Sequence, residues 1–377
     1  KILKISLEIL KINKKPFFKM RNHLKFMNYA HDLASKNFGK TFPNPSVGCI
    51  ITKNNKIISK GVTSSTGRPH AEEIALKKAG KKANGASMYV TLEPCFHSSQ
   101  NGSCADQILR SGIKEIYISC IDPDPRTKNK SIMKLKRNKI KVVSGLEKNK
   151  TINLNKFFFK SLTKQKPFTK VKMAISNDEK IAWSNYKSKW ITNSKSRSYV
   201  HKLRSNSQAI LTTSKTIIKD NPRFTVRNKN KIIKNLNVVV VDTNLNIPLN
   251  SRVLNNLHDK RVIIFTSKKN SKYQKLIQLG CEVIQIKKEN NSLNLKKLFN
   301  YLYKLKISDL FVEAGGVFFA NLIKNNLVDE IHLFRAPIII GEKGIPVIKG
   351  NNLKMIKKKL LEKMNFDDNS YFKYQVK

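Results

Sequence analysis

Three side chains in the first third of this 377-residue chain have the types and order to hold a metal ion: His70, Cys95 and Cys104. His70 opens the run His70-Ala71-Glu72, and Cys95 follows Pro94 where an apolar stretch ends. One imidazole and two thiolates make three ligands, which leaves the fourth tetrahedral position of zinc open to water. The ion would bring the pKa of that water toward about 7. Glu72, just past the histidine, can then carry protons between the water, a ring nitrogen and a departing amine. His-Ala-Glu alone and Pro-Cys alone carry little information. Their order, with the histidine at a helix start and Cys95 at a strand end, is hard to reach by chance. The competing reading is a helix cap beside two inert buried thiols. Cys49, Cys120 and Cys281 fall within apolar patterns and read as core.

The elements that must position this set follow from periodicity. Leu24, Met27, Ala30 and Ala34 recur at helical spacing. Val47–Thr52 and Ile57–Val62 are apolar runs joined at Asn54-Asn55, a hairpin signal. A helix starts at His70 with Ile74, Ala75 and Ala79 inward. It is followed by a strand Met88–Leu92, a helix Ala105–Leu109, a strand Ile116–Ile121, a helix around Ile132–Leu135 and a strand Ile140–Val143. The order α-β-β-α-β-α-β-α-β implies one sheet with helices on both faces. A second α/β unit begins near Lys166-Pro167. Its strands are Phe168–Ala174, Ala209–Leu211, Val238–Val241, Val262–Phe265, Val283–Ile286, Leu310–Val312 and Ile331–Phe334. Helices Ser196–Arg204, Tyr273–Leu279, Leu295–Leu305 and Val317–Leu327 separate several of them. The expected domains are 20–165 and 166–377, with 1–19 a non-functional N-terminal extension.

The formal net charge is +49, from 74 Lys and Arg against 25 Asp and Glu. A basic balance of this size invites nucleic acid as a partner. The charge, however, is mostly lysine spread evenly along the chain, with arginine, the better phosphate fork, sparse. The expectation is therefore attraction of an anionic small molecule, with no nucleic acid and no membrane. No apolar run approaches the roughly 18 residues of a membrane span. The five scattered cysteines and the absence of a secretory signal favour a reducing cytoplasm over a disulfide scaffold.

Zinc sets of this kind belong to nucleobase deaminases, but the spacing here is distinctive, because eight residues separate Cys95 from Cys104. With Pro43-Asn44-Pro45-Ser46-Val47-Gly48-Cys49 upstream and Thr91-Leu92-Glu93-Pro94-Cys95 before it, the chain resembles the bifunctional riboflavin-biosynthesis deaminase/reductases. The second half carries the likeness independently. It does so through Lys172-Met173-Ala174-Ile175-Ser176, Ser188-Lys189-Trp190-Ile191-Thr192, Val200-His201-Lys202-Leu203-Arg204, Asp220-Asn221-Pro222, Thr225-Val226-Arg227, Val312-Glu313-Ala314-Gly315-Gly316 and Leu327-Val328-Asp329-Glu330.

The resemblance implies a cytidine-deaminase-like α/β/α layered domain followed by a dihydrofolate-reductase-like α/β domain. The first would hydrolytically deaminate 2,5-diamino-6-(5-phosphoribosylamino)pyrimidin-4-one with zinc. The second would reduce the ribosyl arm to ribityl with NADPH, in a protein expected to be a homodimer. It implies His70, Cys95 and Cys104 as zinc ligands, Glu72 as proton carrier and Asn44 as a substrate contact. For NADPH it implies Ala174, Trp190, Thr216 and Thr243, with Gly315 and Gly316 beside the phosphates. For the reductase substrate it implies Lys172, Ser188, Asp220, Phe224, Arg227 and Glu313, with Arg227 on the phosphate. The chain departs from the family at Phe96–Ser103, where Gln100 replaces a basic residue, at Asp124, where asparagine is usual, and at Asn177-Asp178-Glu179, where Leu-Asp-Gly is usual. The alternatives are a nucleic-acid base deaminase with a basic accessory domain, and a binding protein whose zinc is closed by His97.

Overall fold

The computed structural model describes residues 20–65, 67–97, 102–184, 191–228, 231–289, 291–348 and 353–377. The extension expected over 1–19 lies outside the described residues. The chain forms two compact units, Lys1–Thr163 and Lys164–Lys377. Among the described residues no helix is long and apolar enough to cross a membrane.

In the first unit a helix, α1, covers 20–36. Then follow strands β1 (Gly48–Lys53) and β2 (Lys56–Val62), helix α2 (Ala71–Ala79), β3 (Ser87–Leu92), α3 (Cys104–Arg110), β4 (Glu115–Cys120), α4 (Lys130–Arg137) and β5 (Lys141–Ser144). The expected alternation is therefore present. It continues into two helices the periodicity did not resolve, α5 (Lys148–Leu154) and α6 (Lys156–Lys164). The sheet order is β2-β1-β3-β4-β5. The β1–β2 and β1–β3 pairs are antiparallel, whereas β3–β4 and β4–β5 are parallel. Asn54 and Asn55 take φ of +51° and +57°, the left-handed pair a tight hairpin needs and asparagine tolerates. Ala71, Ala75 and Ala79 bring α2 close to the sheet, where Cys49, Ile51, Met88, Val90, Ile116 and Ile118 complete a buried cluster. Burial of that side gives α2 its stability, since a nine-residue helix is marginal by itself.

The second unit is built on a nine-stranded sheet. Its strands are β6 (Phe168–Ile175), β7 (Ala209–Thr213), β8 (Asn237–Val241), β9 (Val262–Thr266), β10 (Glu282–Gln285), β11 (Asp309–Val312), β12 (Glu330–Arg335), β13 (Lys358–Phe366) and β14 (Asn369–Val376). They run in the order β10-β9-β8-β7-β11-β6-β12-β14-β13. Pairing is parallel from β10 to β12, and antiparallel for β12–β14 and β14–β13. The intervening helices are α7 (Ser194–Ser205), α8 (Ser214–Asp220), α9 (Ser271–Gln278), α10 (Leu295–Lys304) and α11 (Gly316–Lys324). The near-continuous apolar runs of β8 and β9 mark strands covered on both faces. One cluster around Phe299, Leu298, Phe319 and Leu322 packs on one side of the sheet, and another around Leu245, Ile247, Val253 and Leu276 contains Cys281. Parallel strands open at their carboxyl ends, where ligand crevices form in such sheets.

Candidate active sites

The metal set is assembled from two helix starts and one strand end. His70 is the N-cap of α2, and its own amide donates to the Glu73 carboxylate at 2.9 Å, a brace that fixes where the imidazole begins. Glu73 also accepts from Gln107 Nε2 on α3 at 3.2 Å, tying the two helices together. Cys104 is the first residue of α3, and Ser103 caps the helix by accepting from the Asp106 amide at 3.1 Å. Cys95 lies just beyond β3, and the Cys104 amide donates to its sulfur at 3.3 Å. His70 Nδ1 stands 3.3 Å from Cys104 Sγ, and the three donor atoms all fall within 4.8 Å of one another.

The electrostatics suit a cation. The Cys104 thiol facing Cys95 draws the Cys95 sulfur down toward its thiolate form, while the same contact, with burial, pushes Cys104 up. Two sulfurs that share one proton beside an imidazole form a donor set that a divalent ion can take over, and soft sulfur with nitrogen is the ligand choice of zinc. Glu72 is buried on the first turn of α2, and burial pushes its carboxyl up to about 7. It interacts electrostatically with both His70 and Cys95. Cys49 and Cys120 are buried in the core cluster, as expected.

Asn44 sits partly buried in a turn closed by its amide donating to the Thr41 carbonyl at 2.9 Å. Its neighbour is Gly67, with φ of +82°, where an added Cβ would lie 1.9 Å from Asn44 Nδ2. Both conformation and space therefore require glycine at 67, a positioning role the sequence reading missed. Glu93 is a second omission. It is buried and accepts from the amides of Asp122 (3.2 Å) and Asn129 (3.0 Å) and from Ser131 Oγ (2.8 Å), which holds the loop before α4 behind Cys95. In that loop the unusual Asp124 is neutralised by Arg126, whose Nε donates to both carboxylate oxygens at 3.0 Å. His97 is partly buried, while 98–101, including Gln100, lie outside the described residues.

In the second unit a cleft of about 1630 Å³ opens at the carboxyl ends of β6, β7, β8 and β11. Lys172, Ala174, Thr216, Asp220, Phe224, Thr243, Glu313, Gly315 and Gly316 all line it. Ser188 and Trp190 lie outside the described residues. Arg227 is exposed on the strand Thr225–Asn228 and is not among the lining residues. Its amide donates to His201 Nδ1 at 3.2 Å. Phe224 is buried with φ of +51°, a strained conformation for an aromatic residue that persists where its surroundings fix it. Gly315 faces open space, whereas a Cβ on Gly316 would meet the Val347 carbonyl oxygen at 2.1 Å. Gly316 is thus glycine because backbone packs on backbone there.

The floor of the cleft is ionic. Arg204, to which the sequence reading assigned no role, grips Glu313 through Nε (2.5 Å) and Nη2 (2.9 Å). Against the pull of burial, this pairing holds the Glu313 carboxyl below the usual range. Burial lowers the Lys172 ammonium pKa, opposed by Glu313. A partly desolvated cation beside a fixed carboxylate suits a polar, anionic substrate.

Comparison with known proteins bears on both units. Residues 20–120 match the family described as the cytidine and deoxycytidylate deaminase zinc-binding region, and 167–370 match the RibD C-terminal domain. The riboflavin biosynthesis protein RibD of Aquifex aeolicus is 38% identical over 344 residues, covering 89% of this chain and 94% of that protein. The Escherichia coli protein of the same name is 31% identical over 345 residues, covering 86% and 91%. Among solved structures, RibD of Acinetobacter baumannii superposes with a TM-score of 0.87 at 30% identity, covering 95% of this chain and 99% of that one. A diaminohydroxyphosphoribosylaminopyrimidine deaminase/5-amino-6-(5-phosphoribosylamino)uracil reductase from Thermotoga maritima gives 0.84 at 31% identity, covering 95% and 99%.

Proposed function

The chain belongs to the RibD family of bifunctional deaminase/reductases of riboflavin biosynthesis, and from that premise we propose how its own residues divide the two reactions. Its substrate is 2,5-diamino-6-(5-phosphoribosylamino)pyrimidin-4-one, and its cofactors are zinc and NADPH. The first unit removes the 2-amino group as ammonia, and the second reduces the ribosyl arm of the product to ribityl.

In our reading His70 Nδ1 and the sulfurs of Cys95 and Cys104 hold the metal. Bound there, zinc supplies the Lewis acidity that makes water nucleophilic near neutral pH. Glu72 does the proton work. Buried beside the donor set, its carboxyl takes a proton and gives it back, delivering one to the ring nitrogen and one to the leaving amine. Asn44, given its room by the missing side chain at Gly67, fixes the orientation of the pyrimidine. Glu73 and Glu93 keep the ligand-bearing loops in register.

NADPH supplies the hydride, and the residues of the cleft supply placement and charge. We assign the nucleotide to Ala174, Thr216, Thr243, Gly315 and Gly316, with Trp190 from outside the described residues. Lys172, Asp220, Phe224 and Glu313 face the reduced arm, with Ser188 completing the set. Arg227 stands further out, as a cation for the phosphate. Lys172, partly buried and beside Glu313, is the cation we assign to the sugar of the substrate.

The observation that carries this reading is the convergence of His70, Cys95 and Cys104 within 4.8 Å, beside a buried Glu72. We further propose a homodimer acting in the cytoplasm on a small molecule, without nucleic acid or membrane. Incubation with the diaminopyrimidinone substrate, with and without NADPH, tests the whole. Ammonia is expected in both cases, and the ribityl product only with NADPH. Ammonia release from tRNA or single-stranded DNA instead would favour the nucleic-acid alternative.

A further inference from the structure

Glu179 has φ of +60°, a left-handed conformation disfavoured for any residue with a Cβ, in the turn that leaves β6. Beyond the bonds that close the turn on itself through Ser176, it is tied to one later stretch of chain, 335–347. The Asn177 amide donates to the Ile338 carbonyl at 2.8 Å. Asp178 accepts from two consecutive strap amides, Ile340 at 3.1 Å and Gly341 at 2.8 Å, and also from Ser176 Oγ within its own turn at 2.6 Å. The Glu179 carboxylate meets Arg335 Nη2 at 3.2 Å, and its carbonyl accepts from the Val347 amide at 3.1 Å. Residues Lys180–Ala182 then pair with Ile345–Pro346.

The strap so pinned bears on the start of α11. Val347 is the residue whose carbonyl oxygen leaves no room for a Cβ on Gly316. Ile181 and Ala182 on the turn side, and Lys343 to Pro346 on the strap side, both wall the cleft that Gly315 and Gly316 line. A continuous backbone contact thus runs from Glu179 through Val347 to Gly316. A turn that served only to join two strands would need neither a carboxylate bridging two amides of the strap nor a second carboxylate reaching Arg335 at the strap's start.

We infer that Asp178 and Glu179 are positioning residues for the dinucleotide of the reductase, acting through the strap 338–347 and Val347 on the chain at Gly315-Gly316. The inference rests on the reading above that these glycines lie along the nucleotide phosphates. Asp178→Ala removes both strap bonds together with the one from Ser176 Oγ, whereas Asp178→Asn keeps one acceptor and should act more weakly. The Glu179–Arg335 pair can be reversed in sign.

NADPH titration of the full-length protein, followed by fluorescence, and steady-state NADPH oxidation with deaminated substrate provide the test. Asp178→Ala is expected to raise the NADPH dissociation constant and KM about tenfold, as loss of bonds to a charged group can. kcat should stay within about twofold of wild type and ammonia release should be unchanged. Arg335→Glu should weaken NADPH binding, and adding Glu179→Arg should restore it. Gly315→Asp, which places an anion in open space, reports on the underlying reading. If Gly315→Asp leaves NADPH binding intact, the assignment of the glycines fails. If Gly315→Asp weakens binding while Asp178→Ala melts earlier yet binds NADPH normally, the positioning role is overturned. Should Asp178→Ala not fold, the charge exchange decides: failure of Glu179→Arg to restore binding in Arg335→Glu overturns it.

Discussion

His70 Nδ1 and Cys104 Sγ stand 3.3 Å apart although one caps α2 and the other opens α3. Neither position is left to its side chain alone. Glu73 fixes the amide of His70, and through Gln107 it reaches α3, which begins at Cys104. The Cys104 amide, at the positive end of that helix, donates to the Cys95 sulfur. Thiolates are stabilised where peptide dipoles converge, so the fold prepares the site electrostatically as well as sterically.

Glu72 lies within this arrangement but is not one of its ligands. Glu72→Gln should therefore keep stoichiometric zinc while ammonia release falls by about 10³-fold or more, the scale of general acid–base catalysis. NADPH oxidation by the deaminated substrate should be unchanged. Metal analysis and the two assays on one preparation check this, and joint loss of both activities would contradict separate sites.

Gly67→Ala should raise the deaminase KM through Asn44. A methyl group there cannot coexist with the Asn44 amide where it stands, and φ of +82° adds about 1 kcal/mol of strain. Zinc content and NADPH oxidation should remain at wild-type values. A KM equal to wild type would remove Asn44 from the pyrimidine site.

Arg204 and Glu313 form a pair whose halves should not be separable. Arg204→Met leaves a carboxylate inside the protein without its partner, which costs about 3–5 kcal/mol. Adding Glu313→Gln should recover part of that stability but no reductase activity. Thermal melting of the reductase transition, set beside NADPH oxidation, separates the two effects.

His201 gives the reductase unit an acid limit. Burial lowers its pKa to about 4, with Arg204 and Arg227 acting in the same direction and Glu313 opposing. The unfolded side chain titrates near 6.5, so between 6.5 and 4 the unfolded chain binds a proton that the folded one refuses. Stability should fall as pH drops through that window and flatten below it. Denaturant titrations of wild type and His201→Gln at several pH values are expected to show a shallower slope for the variant.

Much of this was legible in advance for identifiable reasons. All strands of the first sheet and the seven parallel strands of the second announced themselves as apolar runs, and Asn54-Asn55 as a turn, because local chemistry decides those features. The β13–β14 hairpin escaped because Lys358–Phe366 lies at the sheet edge, mostly exposed, and shows no inward-outward alternation. Helix α8 escaped because it is only seven residues long, with few buried positions. The cluster of His70, Cys95 and Cys104 was readable from residue type and spacing. Gly67, Glu93 and Arg204 were not, since their work depends on partners far along the chain, and neither was the tie from Glu73 to Gln107. Gly316 was expected beside phosphates, but its lack of a side chain answers first to Val347.

The most direct test is metal depletion followed by assay of each reaction on its own substrate. After exhaustive chelation, ammonia release should disappear and return on adding one equivalent of zinc, while NADPH oxidation with pre-deaminated substrate proceeds throughout. A metal-free protein that still releases ammonia at the full rate would contradict the assignment of His70, Cys95 and Cys104.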